Sequence, residues 1–109
     1  MKAYIRQVFW EDPHTAVEVV RRESAFRMVQ SNHVYTETNA PPGFAPGDRE
    51  QSFCMFQIHE PVHRETIKAH GLENYRTDVR ECVQLGRIVY DQAGGFYPWT
   101  EYHNILAMR

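Results

Sequence analysis

Apolar residues recur at helical spacing in several stretches of the chain. The first stretch lies within residues 2–10 and predicts a short amphipathic helix that stops at Asp12-Pro13. A second helix begins there, because Asp12 suits the N-cap and Pro13 suits the first helical position. Its apolar stripe is formed by Ala16, Val19, Val20 and Phe26.

Two further helices have clear signals at their ends. One covers Val62 to His70 and is closed by Gly71. The other begins at Asp78, with Glu81 completing a capping-box-like start, and ends at Gly94-Gly95. One face of it carries Val79, Cys82, Val83, Gly86, Val89, Tyr90 and Ala93.

The segments between these helices lack helical periodicity. Residues 31–50 include the run from Asn39 to Gly47, with three prolines and two glycines, which predicts a long loop. Loops of this length inside compact domains are usually functional. The apolar run from Ser52 to Ile58 fits either a strand or a buried helical turn, and a last helix is expected between Pro98 and Met108.

Composition limits the possible classes of protein. At 109 residues the chain is expected to form a single domain spanning 1–109, with one core. The net charge of −2 offers no basic footprint for nucleic acid, and no apolar run predicts a membrane span or a signal peptide. Cys54 and Cys82 lie among apolar residues, which favours two free, buried thiols.

His59-Glu60-Pro61-Val62-His63 matches the zinc-protease pattern H-E-x-x-H. That pattern works on a helix, where both histidines share one face. Pro61 between them disfavours a helix interior and predicts that a new helix starts there, so His59 and His63 fall on different elements. We therefore expect no metal and no cofactor.

Glu23 is unusual because it falls on the inward stripe of the second helix. A carboxylate there loses hydration, which raises its pKa. Two interpretations are open. Glu23 is either an inward residue paired with Arg21, Arg22 or Arg27, or an acid with a perturbed pKa at a functional site.

Three motifs follow one another along the chain: Glu23-Ser24 near a helix end, the run Ser52–Ile58, and a later helix bearing Tyr90. Their order, from about Ile5 to Tyr102, resembles that of the lysozyme-like lytic transglycosylases, a group that includes soluble lytic transglycosylases and goose-type lysozymes. The ending Gly94-Gly95-Phe96-Tyr97-Pro98-Trp99-Thr100-x-Tyr102 is similar to that of phage-type members. Cys54 and Met55 depart from it, standing where the family usually has Gly and Leu.

The resemblance implies a mainly α, lysozyme-like α+β fold, a small helical domain whose short β and loop region forms a substrate cleft. It makes Glu23 the catalytic acid. It gives substrate contacts to Ser31, Gln57, His59, Tyr90, Trp99 and Tyr102.

The implied reaction cleaves the MurNAc-GlcNAc β-1,4 bond of peptidoglycan with one Glu and leaves 1,6-anhydro-MurNAc ends. Alternatives are a hydrolase of the same fold, in which Asp48 or Glu50 positions a water, and a non-catalytic wall-binding or phage tail protein. The expected partners are peptidoglycan strands and, for a phage protein, virion components. Such a protein is made in the cytoplasm and acts on the cell wall, from the virion or in the periplasm.

Overall fold

The chain is mainly helical, with one small antiparallel sheet. The computed structural model describes residues 1–108, and no helix in that part of the chain is long and apolar enough to cross a membrane. The elements in chain order are α1 (Lys2–Val8), α2 (Pro13–Ser24), β1 (Ser52–Phe53), β2 (Ile58–His59), α3 (Glu60–Ala69), α4 (Val79–Ala93) and α5 (Thr100–Ala107).

Local capping residues define the start of α2 and both ends of α4 as expected. The Asp12 side chain accepts a hydrogen bond from the Thr15 backbone N–H at 3.3 Å, and Pro13 opens α2. The Asp78 side chain accepts from the Glu81 N–H at 3.1 Å at the start of α4. Gly94 closes α4 in the left-handed region, where glycine carries no Cβ penalty.

The second helix is shorter than its apolar stripe predicted. It ends at Ser24, and Ala25 and Phe26 both adopt positive φ, so Phe26 is not part of the helix. The Ser24 hydroxyl donates to the Met55 carbonyl at 2.8 Å, which ties the helix end to the sheet region. Phe26 instead packs, half-buried, against the edge of the core.

The run from Ser52 to Ile58 forms a tight hairpin with its neighbour His59. Ser52 pairs with His59 and Phe53 with Ile58, in antiparallel register. The turn between the strands places Cys54 and Gln57 at positive φ. The third helix starts at Glu60, one residue before Pro61 and two before Val62, where it was predicted to begin. Pro61 is accommodated in its first turn, where no helical N–H is needed.

The two arms of the long loop pair with each other through backbone hydrogen bonds, and this pairing continues onto β1 at Ser52. The Ser31 N–H donates to the Ser52 carbonyl at 2.9 Å, and the Glu50 N–H donates to the His33 carbonyl at 2.9 Å. The Tyr35 N–H donates to the Asp48 backbone carbonyl at 2.8 Å. Residues 31–35 therefore run antiparallel to residues 48–52 and extend one wall of the sheet region.

The prediction of two free thiols is wrong, because Cys54 and Cys82 form a disulfide. Helix α4 turns its apolar face toward the hairpin turn, which brings the two Cα atoms to 6.1 Å, within the range that a disulfide spans. The cysteines are 28 residues apart, and their own neighbourhoods in the sequence give no sign of this pairing. The bond fixes the hairpin turn to α4.

Phe56 in the hairpin turn lies at the centre of the core. Its ring centroid is 5.3 Å from that of Phe9 and 5.7 Å from that of Trp99. Gly86 of α4 faces the same ring, and a Cβ at that position would come within 2.9 Å of it. The Trp99 indole N–H donates to the Phe56 carbonyl at 2.7 Å, so the start of α5 is held against the hairpin.

Candidate active site

A polar pocket of about 420 Å³ lies where the end of α2, the hairpin and the start of α5 meet. It brings together residues that are far apart in sequence. They are Arg22, Glu23, Ser31, His33, Tyr35, Asn39, Glu50, Ser52, Gln57, His59, Pro98, Trp99, Thr100 and Glu101. Glu23, Ser31, Gln57, His59 and Trp99, all expected at the site from the sequence, share this one pocket.

Glu23 is the half-buried carboxyl group on the α2 wall of the pocket. Burial raises its pKa to about 7, as the largest of several effects. A backbone hydrogen bond from Glu101 lowers the pKa, while the negative charges of the Glu101 and Glu50 side chains raise it. The group is thus poised to hold and release a proton near neutral pH.

The arginines next to Glu23 bind other partners. Arg22 contacts Glu18 at 3.0 Å, and Arg21 donates to the same carboxylate at 2.9 Å. The Arg27 side chain donates to the Ser24 carbonyl at 3.1 Å. Within residues 1–108 Glu23 forms no ion pair, so the interpretation of Glu23 as one half of a structural ion pair is not supported.

Gln57 and Ser31 present opposite hydrogen-bonding groups. The Gln57 side-chain nitrogen donates to the Val29 carbonyl at 2.9 Å and to the Cys54 carbonyl at 2.8 Å. Its oxygen is the atom left to accept from a ligand. The buried Ser31 hydroxyl accepts from the His33 N–H at 3.0 Å, which leaves its own hydrogen as a donor.

His59 is held by Tyr35 at the end of β2. The Tyr35 hydroxyl lies 2.9 Å from His59 Nε2 and also accepts from the Gln51 N–H at 2.9 Å. Because the Tyr35 oxygen already accepts from Gln51, its hydroxyl hydrogen is assigned as the donor to His59 Nε2. The other ring nitrogen of His59 then carries its hydrogen as Nδ1–H and can donate. Because Tyr35 is buried, it fixes His59 at the pocket wall.

Of the three aromatic residues expected to contact substrate, one lines the pocket and two lie outside its lining. Trp99 lines the pocket but is only 4% exposed, and its N–H is used by Phe56. Tyr90 lies apart from the pocket lining and packs on Phe96, with ring centroids 4.6 Å apart. Tyr102 also lies outside the lining, 5.7 Å from Phe96.

Two carboxylates besides Glu23 line the pocket: Glu50, which the sequence suggested only for the hydrolase alternative, and Glu101, which it did not suggest. Glu50 accepts a hydrogen bond from the Ser52 hydroxyl at 2.7 Å, whereas Asp48, the other candidate from the loop, binds the Ala45 N–H and lies outside the lining. Glu50 and Ser52 are two residues apart in an extended segment, which places them on one face and could have indicated the pairing. Glu101 had no such signal.

The segment that matches H-E-x-x-H forms the junction between β2 and α3. His59 ends β2 and precedes α3, while His63 lies within α3, as predicted. The Glu60 carboxylate accepts from the Tyr75 hydroxyl at 2.6 Å and from Arg76 at 2.7 Å. No group of three or more His, Cys, Asp or Glu suited to a metal ion occurs in the described chain.

Comparison of the chain with protein-family models, with curated proteins and with solved structures finds no match. The chemistry of the pocket and the motif resemblance therefore carry the functional proposal.

Proposed function

We propose that the chain is a peptidoglycan-cleaving lytic transglycosylase in which Glu23 is the acid. The observation that carries this proposal is a carboxyl group with a pKa of about 7, free of any ion pair within residues 1–108, in a polar pocket that faces solvent. General acid catalysis works best when the pKa of the donor lies near the working pH. An ordinary Glu is almost fully ionised at neutral pH and would be a poor proton donor.

In the proposed reaction Glu23 donates its proton to the bridging oxygen of a β-1,4 bond, and the bond from C1 to that oxygen breaks. The carbonyl oxygen of the substrate's own N-acetyl group stabilises the positive charge at C1. The C6 hydroxyl then attacks C1, and its proton returns to the Glu23 carboxylate. The product is a 1,6-anhydro sugar, and no water is consumed.

The other polar groups of the pocket suit an amide-bearing sugar. The Gln57 side-chain oxygen can accept from the N–H of an N-acetyl group or from a hydroxyl, because the nitrogen of the same side chain is already bonded within the protein. The Ser31 hydroxyl and the His59 ring can donate to sugar oxygens. Such a mixture of donors and acceptors favours a neutral polar ligand over an apolar one.

A hydrolase is the second candidate, and the position of Glu50 favours it. Glu50 lies in the same pocket as Glu23 and is held by Ser52 at 2.7 Å. A fixed second carboxylate can activate a water for attack on C1, as in glycosidases that use two carboxyl groups. In that reaction the new sugar end is hydrated instead of anhydro.

Mass spectrometry of muropeptides after digestion of purified cell walls separates these reactions. Anhydro ends support the transglycosylase, and reducing ends support the hydrolase. Glu23→Gln should abolish both products while the protein stays folded. Wall binding without any product from the natural chain would indicate a non-catalytic wall-binding protein and refute both enzymatic proposals.

Glu50→Gln adds a second discrimination. A hydrolase that uses Glu50 to activate water should lose turnover at every pH. A transglycosylase should keep its rate at acidic pH, where Glu23 is protonated in either protein, and lose activity only on the alkaline side. Full activity of the variant at all pH values would leave Glu50 without a role in either reaction.

A further inference from the structure

We infer that Glu101 is a positioning residue for Glu23: its carboxylate, held at the pocket wall by Arg22, adds to the effect of burial by disfavouring a second negative charge, on Glu23. The two glutamates come from α5 and α2, and they line the same pocket although 78 residues separate them in the sequence. The consequence for catalysis rests on the proposed function, but the coupling itself does not.

Arg22 holds Glu101 without fully neutralising it. Their charged atoms are 3.6 Å apart, whereas Arg22 approaches Glu18 to 3.0 Å. Hydrogen bonding from Arg21, with a smaller effect of Arg22, lowers the pKa of Glu18 to about 2, so Glu18 stays ionised and retains its share of the Arg22 charge. A single guanidinium shared in this way leaves negative charge on the Glu101 side of the pocket.

The first turn of α5 is also fixed in place. Trp99 precedes that turn, is 4% exposed and donates its indole N–H to the carbonyl of Phe56 at 2.7 Å. Glu101 follows two residues later, and its side chain keeps 32% of its surface exposed. A carboxylate on an anchored turn cannot move away from Glu23 as freely as one on a loop. The negative charge of Glu101 therefore stays close enough to act on Glu23.

Every charged or titratable group that lines the pocket has to be included in this balance. These groups are Arg22 from the helix of Glu23, Glu101 from α5, His33, Tyr35 and Glu50 from the long loop, and His59 from the hairpin. Of the carboxylates, Glu101 raises the pKa of Glu23 more than Glu50 does. Its backbone acts in the opposite sense through a hydrogen bond, so only a change confined to the side chain isolates the effect of charge.

The test is a titration of the Glu23 carboxyl by ¹³C NMR, with the signal assigned by its loss in Glu23→Gln. In Glu101→Gln, which keeps the backbone N–H, the titration midpoint of Glu23 should move to lower pH. In Glu50→Gln it should move in the same direction by less. Glu65→Gln removes the same charge from an exposed position of α3 outside the pocket, and the midpoint should stay where it is.

A second variant predicts the opposite sign. Arg22→Gln removes the cation that offsets Glu101, so the midpoint should move to higher pH. An unmoved midpoint in Glu101→Gln, or a shift equal to that in Glu65→Gln, overturns the inference. If the midpoint moves but the alkaline limit of wall lysis does not move with it, the coupling stands and Glu23 is not the catalytic acid.

Discussion

Replacing Glu23 by Gln should stabilise the protein at neutral and alkaline pH but not at acidic pH. Gln resembles the protonated acid in shape and polarity, and it can still accept the backbone hydrogen bond from Glu101. What it removes is the charge that burial disfavours. The variant should therefore gain stability only at a pH where the natural chain releases the Glu23 proton on unfolding, or where Glu23 is already ionised in the folded state.

The sign follows from linkage. The pKa of Glu23 is about 7 in the folded chain and 4.5 without perturbation, so the folded state binds more protons between these values. The stabilisation that this gives is fully present below pH 4.5 and is lost as pH rises through about 7. A full shift of this size corresponds to about 3 kcal/mol, and screening of a half-buried group reduces it to about 1–3 kcal/mol.

The assay is thermal denaturation of both proteins from pH 4 to pH 9. For a chain of this length, 1 kcal/mol corresponds to about 4 °C in Tm. The difference in Tm between Glu23→Gln and the natural chain should be close to zero at pH 4 and reach about 4–12 °C above pH 8. Glu65→Gln, at an exposed position, provides the control for a change of one charge. A difference that is flat with pH, or a variant that is less stable at pH 8, would refute the reasoning that Glu23 is a desolvated acid.

Three other predictions concern the framework around the site. Replacing Cys54 and Cys82 together by Ser should cost about 3–4 kcal/mol, from the loop entropy of a 28-residue separation, and both this change and reduction of the natural chain should lower Tm; two titratable thiols in the oxidised native protein would contradict the pairing. Gly86→Ala should lower Tm, because a Cβ 2.9 Å from the buried Phe56 ring overpacks the core by about 1–3 kcal/mol and outweighs the helix-propensity gain of about 1 kcal/mol; an equal or higher Tm would mean that the ring moves aside freely. Chelators should leave wall lysis intact, and metal analysis of the purified protein should show no stoichiometric zinc; a content near one per chain would revive the protease interpretation.

The helix ends could be predicted because their signals are local. Asp12, Asp78 and Gly94 act within one turn of their own positions, and each is where the sequence indicates. The end of α2 was misjudged for the opposite reason. The Ser24 hydroxyl donates to the carbonyl of Met55, 31 residues away, and the chain leaves the helix at positive φ directly after this long-range contact, so Phe26 falls outside it.

The same distinction between local signals and long-range contacts separates the site residues that could be predicted from those that could not. Glu23 could be selected because motif order and its inward position on α2 both point to it, and Gln57 and Ser31 could be selected from motif order. Glu101 could not be selected, because its place beside Glu23 depends on the packing of Trp99 against Phe56 of the hairpin. These two residues are 43 positions apart in the sequence. The disulfide was missed for the same reason, because pairing of Cys54 with Cys82 depends on which face α4 turns to the core.

The charges around Glu23 affect both halves of the proposed reaction. Burial, and to a smaller extent the negative charges of Glu101 and Glu50, disfavours the ionised form of Glu23, which keeps the proton in place before the glycosidic bond breaks. After donation, the same effects make the Glu23 carboxylate a stronger base than an ordinary glutamate, so it recovers a proton more readily. In a transglycosylase that proton comes from the C6 hydroxyl, a weak acid that an ordinary carboxylate deprotonates poorly. A single carboxyl group with a pKa near 7 therefore serves as acid and base in turn, and a carboxylate that acts only through its charge contributes to both steps without touching the substrate.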